Sequence, residues 1–260
     1  MIESLQNKTA KKIQGLKNRK NREKEGLFIA EGLRFVSSIP EDWEVEYFVV
    51  SQSYAESSDC SILQKRAETL IFSNQVFQAV SETTNSQGIL ALCRQKNFHI
   101  HEILEKESRG FYIIAEELND PGNLGTLIRT ADACGVNGIF LSKGSVDLYN
   151  PKVLRSTMGS IFHVPVVQEV EISQLIQQMH TQKITVLAAH LQGKQYLYDF
   201  DFTVPCAVLV GNEARGLSDD AVALCDDLVK IPMVGKAESL NVSMAAGLLM
   251  YEAVRQRKTY

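Results

Sequence analysis

Apolar positions fall in short runs separated by amphipathic stretches, and this alternation covers almost the whole chain. Leu27–Ala30, Val45–Ser51, Thr69–Ser73 and Gly88–Arg94 have strand length and composition, while Gly32–Ser38, Tyr54–Ala67 and Asn74–Val80 carry helical spacing. The pattern resumes with strands at Phe111–Leu118, Gly138–Leu141, Val164–Val167, Ile184–Ala189, Cys206–Val210 and Leu228–Ile231. Helices fall between and after them at Leu124–Cys134, Pro151–Met158, Ile172–Thr181, Asp219–Cys225 and Asn241–Gln256. Such alternation predicts α/β layers. Residues 2–24 read as one polar helix with a thin apolar stripe at Ile2, Leu5, Ile13 and Leu16. The charged run Glu102–Arg109 interrupts the pattern and reads as a linker. Two domains are therefore expected, 1–105 and 106–260.

Charge adds an asymmetry. The chain has 260 residues, 45% hydrophobic, and a net charge of −4. Residues 1–24 nevertheless carry eight basic side chains against Glu3 and Glu23, so a basic arm is joined to an acidic body. The longest near-apolar stretch, Met244–Tyr251, is far short of the roughly 20 residues that span a bilayer. The N-terminus has neither the apolar core of a secretory signal nor the composition of a transit peptide. Five scattered cysteines without a C-x-x-C pair argue against a disulfide framework or a zinc cluster. His99 and His101 share a strand face, but two ligands without a third make no metal site. A cytoplasmic protein without metal or membrane partner is expected.

The remaining chemistry gathers in three Asn-, Gly- and Pro-rich loops after predicted strands, where open α/β sheets bind ligands. In Asn119-Asp120-Pro121-Gly122-Asn123-Leu124-Gly125, Asn123 reads as the N-cap of a helix carrying Arg129 in its second turn. That is either a capped helix with a surface arginine or an anion site. In Gly211-Asn212-Glu213-Ala214-Arg215-Gly216-Leu217-Ser218, Gly211 permits close backbone approach and Ser218 caps the next helix. The third, Ile231-Pro232-Met233-Val234-Gly235-Lys236-Ala237-Glu238-Ser239-Leu240-Asn241, precedes the last helix. Ser239 is conceivable as a nucleophile, yet no G-x-S-x-G elbow surrounds it, and Ser and Asn at a helix start are caps first. P-loop and G-x-G-x-x-G patterns are absent.

Taken jointly, N-D-P-G-N-L-G-T-L-I-R-T-A, L-V-G-N-E-A-R-G-L-S and I-P-M-V-G-K-A-E-S-L-N-V-S resemble the three motifs of the SpoU (TrmH) family. These are S-adenosylmethionine-dependent RNA 2′-O-methyltransferases of the SPOUT superfamily. The segment Pro151–Ser160 also matches, and the resemblance covers about 110–257. It is weaker over 1–105, where Phe28, Glu31 and Gly32 suit the family's small RNA-binding domain. The resemblance implies an α/β SPOUT domain with a deep C-terminal trefoil knot, plus a smaller N-terminal α/β domain like certain ribosomal proteins. It implies backbone contacts to S-adenosylmethionine at Gly211, Ile231 and Leu240, with Met233 and Asn241 as neighbours. It also implies a homodimer formed through the catalytic domain, with the last helix contributing.

By the same resemblance Arg129 is the catalytic residue. A guanidinium gives up its proton only at great cost at neutral pH, so a phosphate clamp that stabilises the oxyanion is favoured over a base. Asn123, Ser239 and Asn241 would orient Arg129 and the ribose, and Glu213 would fix the second loop or contact Arg129. The added N-terminal domain favours 23S rRNA over tRNA. On the arm, Lys11, Lys12, Lys17, Arg19, Lys20 and Arg22 are candidate RNA contacts, the alternative being a solvated helix packed on the first domain. Other readings are an inactive RNA-binding relative, an enzyme methylating a base nitrogen, and a hydrolase using Ser239 or Cys134.

Overall fold

In the computed structural model, which describes residues 1–57 and 60–257, the chain forms two compact units. The first holds residues 1–96 together with 149–162, and the second holds 97–148 and 163–260. The division at 96/97 and the return of 149–162 both depart from the expected split at 105/106.

The first unit runs α1 (Lys8–Gly15), α2 (Arg19–Glu25), β1 (Leu27–Glu31), α3 (Leu33–Ser37), β2 (Val45–Ser51), α4 (Gln52–Ser57), α5 (Ser61–Arg66), β3 (Glu68–Phe72), α6 (Asn74–Val80) and β4 (Ile89–Arg94). Its sheet order is β1-β4-β2-β3, with β4 antiparallel to both β1 and β2, and β3 parallel to β2. The N-terminal segment is two helices rather than one. Asn7 and Asn18 each cap a new start with their side chains, and Gly26 ends the second in a left-handed conformation. Ala10, Ile13 and Leu16 are buried in the core with Phe72, Val76 and Leu90, so the thin stripe packs inward at Ile13 and Leu16, whereas Leu5 is exposed. Ile2 extends it by pairing with Phe72. The expected helix over 54–67 is likewise split into α4 and α5, with 58–59 outside the described residues.

The chain next contributes α7 (Ile100–Glu105), β5 (Phe111–Ala115), α8 (Pro121–Cys134) and β6 (Gly138–Ser142) to the second unit. It returns to the first as α9 (Pro151–Thr157), then continues in the second with β7 (Val166–Val170), α10 (Ile172–Thr181), β8 (Thr185–Ala189), β9 (Gln195–Tyr196), β10 (Cys206–Val210), α11 (Asp219–Ala223), β11 (Asp227–Lys230) and α12 (Val242–Arg257). Aromatic contacts hold the returning segment. Tyr149 stacks on Phe28 with centroids 4.8 Å apart, and Phe162 meets the Trp43 ring edge-on at 4.9 Å. Sequence adjacency placed these residues with the second domain because nothing local reveals a partner more than a hundred positions away.

The second unit is built on a seven-stranded sheet of order β7-β6-β5-β10-β8-β11-β9, parallel throughout. β5, β6 and β10 are buried along their whole length, which explains their continuous apolar runs. The expected linker is instead the helix α7, whose Ile103 and Leu104 enter the core while its glutamates face solvent. β5 and β10 are direct neighbours, so their carboxyl ends deliver the first two candidate loops side by side.

Candidate active site

The first loop is set by a cap. The Asp120 side chain accepts from the Asn123 N–H at 2.8 Å and Pro121 opens α8. Asp120, not Asn123, is therefore the N-cap, and Arg129 lies in the third turn rather than the second. The change matters because the Asn123 amide is free to reach outward. Its Nδ2 donates to Glu213 Oε1 at 3.0 Å, and its Oδ1 accepts from Asn241 Nδ2 at 2.9 Å. Glu213 also accepts from the backbone N–H groups of Asp120 (3.1 Å) and Asn119 (3.3 Å). Asn241 in turn caps α12, its Oδ1 accepting from Ser243 N (3.0 Å) and Ser243 Oγ (2.6 Å). One hydrogen-bonded path thus ties together all three loops. Burial pushes the Glu213 carboxyl up, but the Asn123 amide and the backbone donors outweigh it and hold the group below its usual range.

The second loop folds on itself. Asn212 and Gly216 exchange backbone hydrogen bonds at 3.0 and 2.9 Å, and Asn212 Nδ2 donates to the Glu117 carbonyl at 2.8 Å. Arg215 pairs with Glu117, and Glu116 accepts from both Ser218 N and Ser218 Oγ. A Cβ on Gly211 would lie 2.3 Å from the Gly216 carbonyl carbon, so only glycine permits this closure. Ser218 caps α11 as expected, accepting from Ala221 N.

The third loop is open. Among the described residues, none of the backbone groups of 232–240 is hydrogen-bonded within the chain. Ile231, Met233 and Leu240 are half-buried, while Val234 is fully exposed. Unpaired N–H and C=O groups beside apolar side chains suit a ligand recognised through backbone contacts. This fits S-adenosylmethionine, whose adenine offers an edge to such groups and whose rings and methylenes need apolar cover.

The family model for the SpoU rRNA Methylase family matches residues 110–251, more than half of the chain. The chain belongs to this family. A second model, the MRM3-like substrate binding domain, matches residues 7–91. Similar proteins include the 23S rRNA (guanosine(2553)-2′-O)-methyltransferase RlmP of Bacillus subtilis, 33% identical over 96% of this chain and 97% of its own length. Another is the 23S rRNA (uridine(2479)-2′-O)-methyltransferase of Streptomyces viridochromogenes, 31% identical over 93% of this chain and 87% of that protein. The crystal structure of the SpoU methyltransferase AviRb from the same organism, in complex with the cofactor AdoMet, superposes with a TM-score of 0.86 at 29% identity. It covers 97% of this chain and 98% of that one.

Within this SpoU-family site the structure brings together Asn123, Glu213 and Asn241, and it leaves two candidates outside. The Arg129 side chain is exposed and has no hydrogen bond or ion pair among the described residues. Glu213 therefore meets Asn123 rather than Arg129. Ser239 is also exposed, and its side chain has no hydrogen-bond partner among the described residues. Sequence reasoning missed Glu116, Glu117 and Asn212, which anchor the second loop. Asn212 stood inside the quoted motif, but its partner is a carbonyl 95 positions away.

The basic arm is less free than its composition implies. Arg22 is buried and donates to the carbonyls of Leu16 (2.8 Å) and Lys17 (2.9 Å), so it cannot meet a phosphate. Lys12 pairs with Glu46 at 2.5 Å, Lys17 donates to the Ser81 carbonyl at 2.8 Å, and Arg19 pairs with Glu23 at 2.7 Å. Lys11 and Lys20 are exposed without such partners among the described residues. Similarly, no group of three or more His, Cys, Asp or Glu is placed to hold a metal among the described residues.

Proposed function

We propose that this protein transfers the methyl group of S-adenosylmethionine to a ribose 2′-hydroxyl of RNA, with 23S rRNA as the substrate. The observation that carries this reading is the path Glu213–Asn123–Asn241, which holds three loops together at the carboxyl ends of a parallel sheet. S-adenosylmethionine, when bound, supplies a methyl already activated on a sulfonium. Gly211, Ile231, Met233, Leu240 and Asn241 hold it through the backbone of the second and third loops. Asn123 and Glu213 keep those loops at a fixed separation.

Arg129 acts on the RNA. Its unpaired, permanently charged fork binds the phosphate next to the target ribose and stabilises the negative charge developing on the 2′-oxygen. The Ser239 hydroxyl orients the ribose. The 2′-proton goes to solvent or to a phosphate oxygen rather than to the guanidinium.

The second unit is a SPOUT domain whose chain is knotted at its C-terminal end, a reading supported by the order β10-β8-β11 and by the contacts between its loops. The first unit is a ribosomal-protein-like domain that grips RNA with Lys11 and Lys20. The protein works as a homodimer through α12, where Met244, Leu248 and Tyr251 form an exposed apolar stripe at helical spacing. We infer a cytoplasmic location, which a 23S rRNA substrate supports.

Purified protein incubated with methyl-labelled S-adenosylmethionine and either 23S rRNA or tRNA tests the proposal. Label in 23S rRNA, recovered as alkali-resistant dinucleotides, is the expected result. Label only in tRNA would overturn the substrate, alkali-sensitive product would overturn the ribose as acceptor, and no label in either would leave an RNA-binding relative.

A further inference from the structure

Methylation at a 2′-oxygen leaves a problem of choice, because every ribonucleotide presents the same ribose. Any preference for one position must come from groups distant from the reacting atoms. The first unit contains a cavity of about 310 Å³, of the size that takes small-molecule ligands. It lies among the end of β2, α4, α6 and the turn before β4, and among the described residues no charged side chain lines it. Phosphates and carboxylates are therefore poor ligands for it.

Three side-chain amides on its wall are held in defined orientations. Asn74 Oδ1 accepts from Ser53 N (3.1 Å) and Ser53 Oγ (3.0 Å), which leaves its Nδ2 as a donor. Gln87 Oε1 accepts from Leu33 N at 2.7 Å, which leaves its Nε2 as a second donor. Gln78 Nε2 donates to the carbonyls of Thr83 (3.3 Å) and Thr84 (3.1 Å), which leaves its Oε1 as an acceptor. The Tyr54 ring stands half-buried in the same wall. Gly88 keeps the floor open: its φ is +76°, and a Cβ there would lie 2.5 Å from Ser51 Oγ.

A neutral wall that offers both donors and acceptors beside an aromatic ring matches the edge and face of a nucleobase, and single-stranded RNA is read in this way. We propose that this cavity holds one unpaired nucleobase of the RNA substrate, hydrogen-bonded by Asn74, Gln78 and Gln87 against the Tyr54 ring. The inference rests on the reading of the first unit as the RNA-binding part. It makes this cavity the specificity-determining site, separate from the loops that perform the transfer.

Binding of the full chain to a mixed-sequence single-stranded oligoribonucleotide, and to the same backbone without bases, tests it. The base-bearing RNA should bind at least tenfold more tightly. Asn74→Asp and Gln87→Glu keep the structural oxygen but turn each free donor into an acceptor, and each should abolish that preference. Gln75→Glu adds the same charge at an exposed neighbour outside the cavity and should change affinity less than twofold. Melting temperature and S-adenosylmethionine affinity should stay at wild-type values in all three. Equal binding of abasic RNA, or equal effects of the cavity variants and Gln75→Glu, overturns the proposal, including where methyl transfer itself is intact. Base-dependent binding without methyl transfer would instead overturn the enzymatic reading and leave this one standing.

Discussion

Asn241 donates a hydrogen bond to Asn123 across 2.9 Å, although 118 positions separate them in the chain. Each residue also serves its own helix. The Asn123 N–H is capped by Asp120, while Asn241 caps α12. The start of α8 and the start of α12 are thereby locked to each other, and Glu213 joins them from the second loop.

Glu213→Gln should weaken S-adenosylmethionine binding at neutral pH, because charge-assisted bonds to three donors become neutral ones. The pH dependence has a definite sign. A carboxyl held below its ordinary 4.5 contributes order that is complete above that value and lost as pH falls through the depressed one. Calorimetric titration of the cofactor should show wild-type affinity falling at acid pH and a flatter profile for the variant. Identical profiles would remove Glu213 from the site.

Gly211→Ala places a methyl group against the Gly216 backbone, which cannot swing aside as a side chain would. A loss of about 1–3 kcal/mol in stability is expected. Cofactor affinity should fall with it, as seen by thermal melting with and without S-adenosylmethionine. Wild-type behaviour in both would show that the second loop tolerates opening.

Arg129→Ala should leave melting within about 0.5 kcal/mol of wild type, since the side chain is exposed and makes no bond among the described residues. Turnover should fall about 10²–10³-fold, the usual loss for one charge-stabilising donor. Arg129→Lys discriminates further in single-turnover assays: near-normal rates would exclude a bidentate clamp.

Leu248→Glu puts a charge in the middle of the stripe Met244, Leu248 and Tyr251 and should yield a folded monomer in sedimentation velocity runs. An unchanged dimer would move the interface elsewhere.

Lys11→Glu and Lys20→Glu should weaken RNA binding, and each should lower the slope of log affinity against log salt by about one. Truncating 1–24 is a poorer test. It would strip Ala10, Ile13 and Leu16 from the core, and Arg22→Ala should also destabilise, because the carbonyls of Leu16 and Lys17 lose their donor. Unchanged salt slopes in filter binding would return the arm to a purely structural role.

Legibility in the sequence followed the range of the interaction. β2, β10, α6 and α10 match expectation because each is marked by its own local run: apolar in the strands, helically spaced in α6 and α10, with Ser73 capping α6. The residues of the three loops were also readable, since Asn, Gly and Pro at strand ends report turn chemistry locally. Errors came where a short signal had two solutions. Asn18 looks like one more polar residue on a helix face, yet its side chain starts a second helix. Ile103 and Leu104 look isolated among glutamates until a core stands opposite them.

By itself, then, the sequence determined an α/β chain, its strand and helix composition, and three motifs whose residue types suit a bound cofactor and an anion. Only the tertiary structure decided that Asn123 bonds Glu213 and Asn241 rather than capping its own helix, that Arg129 stays unpaired, that Arg22 is buried, and that 149–162 packs with the first unit. The physical reason is common to all four. Periodicity and capping act over a few residues and are written in neighbouring positions. A side chain's hydrogen-bond partner depends on which distant segments the sheet order brings within about 3 Å.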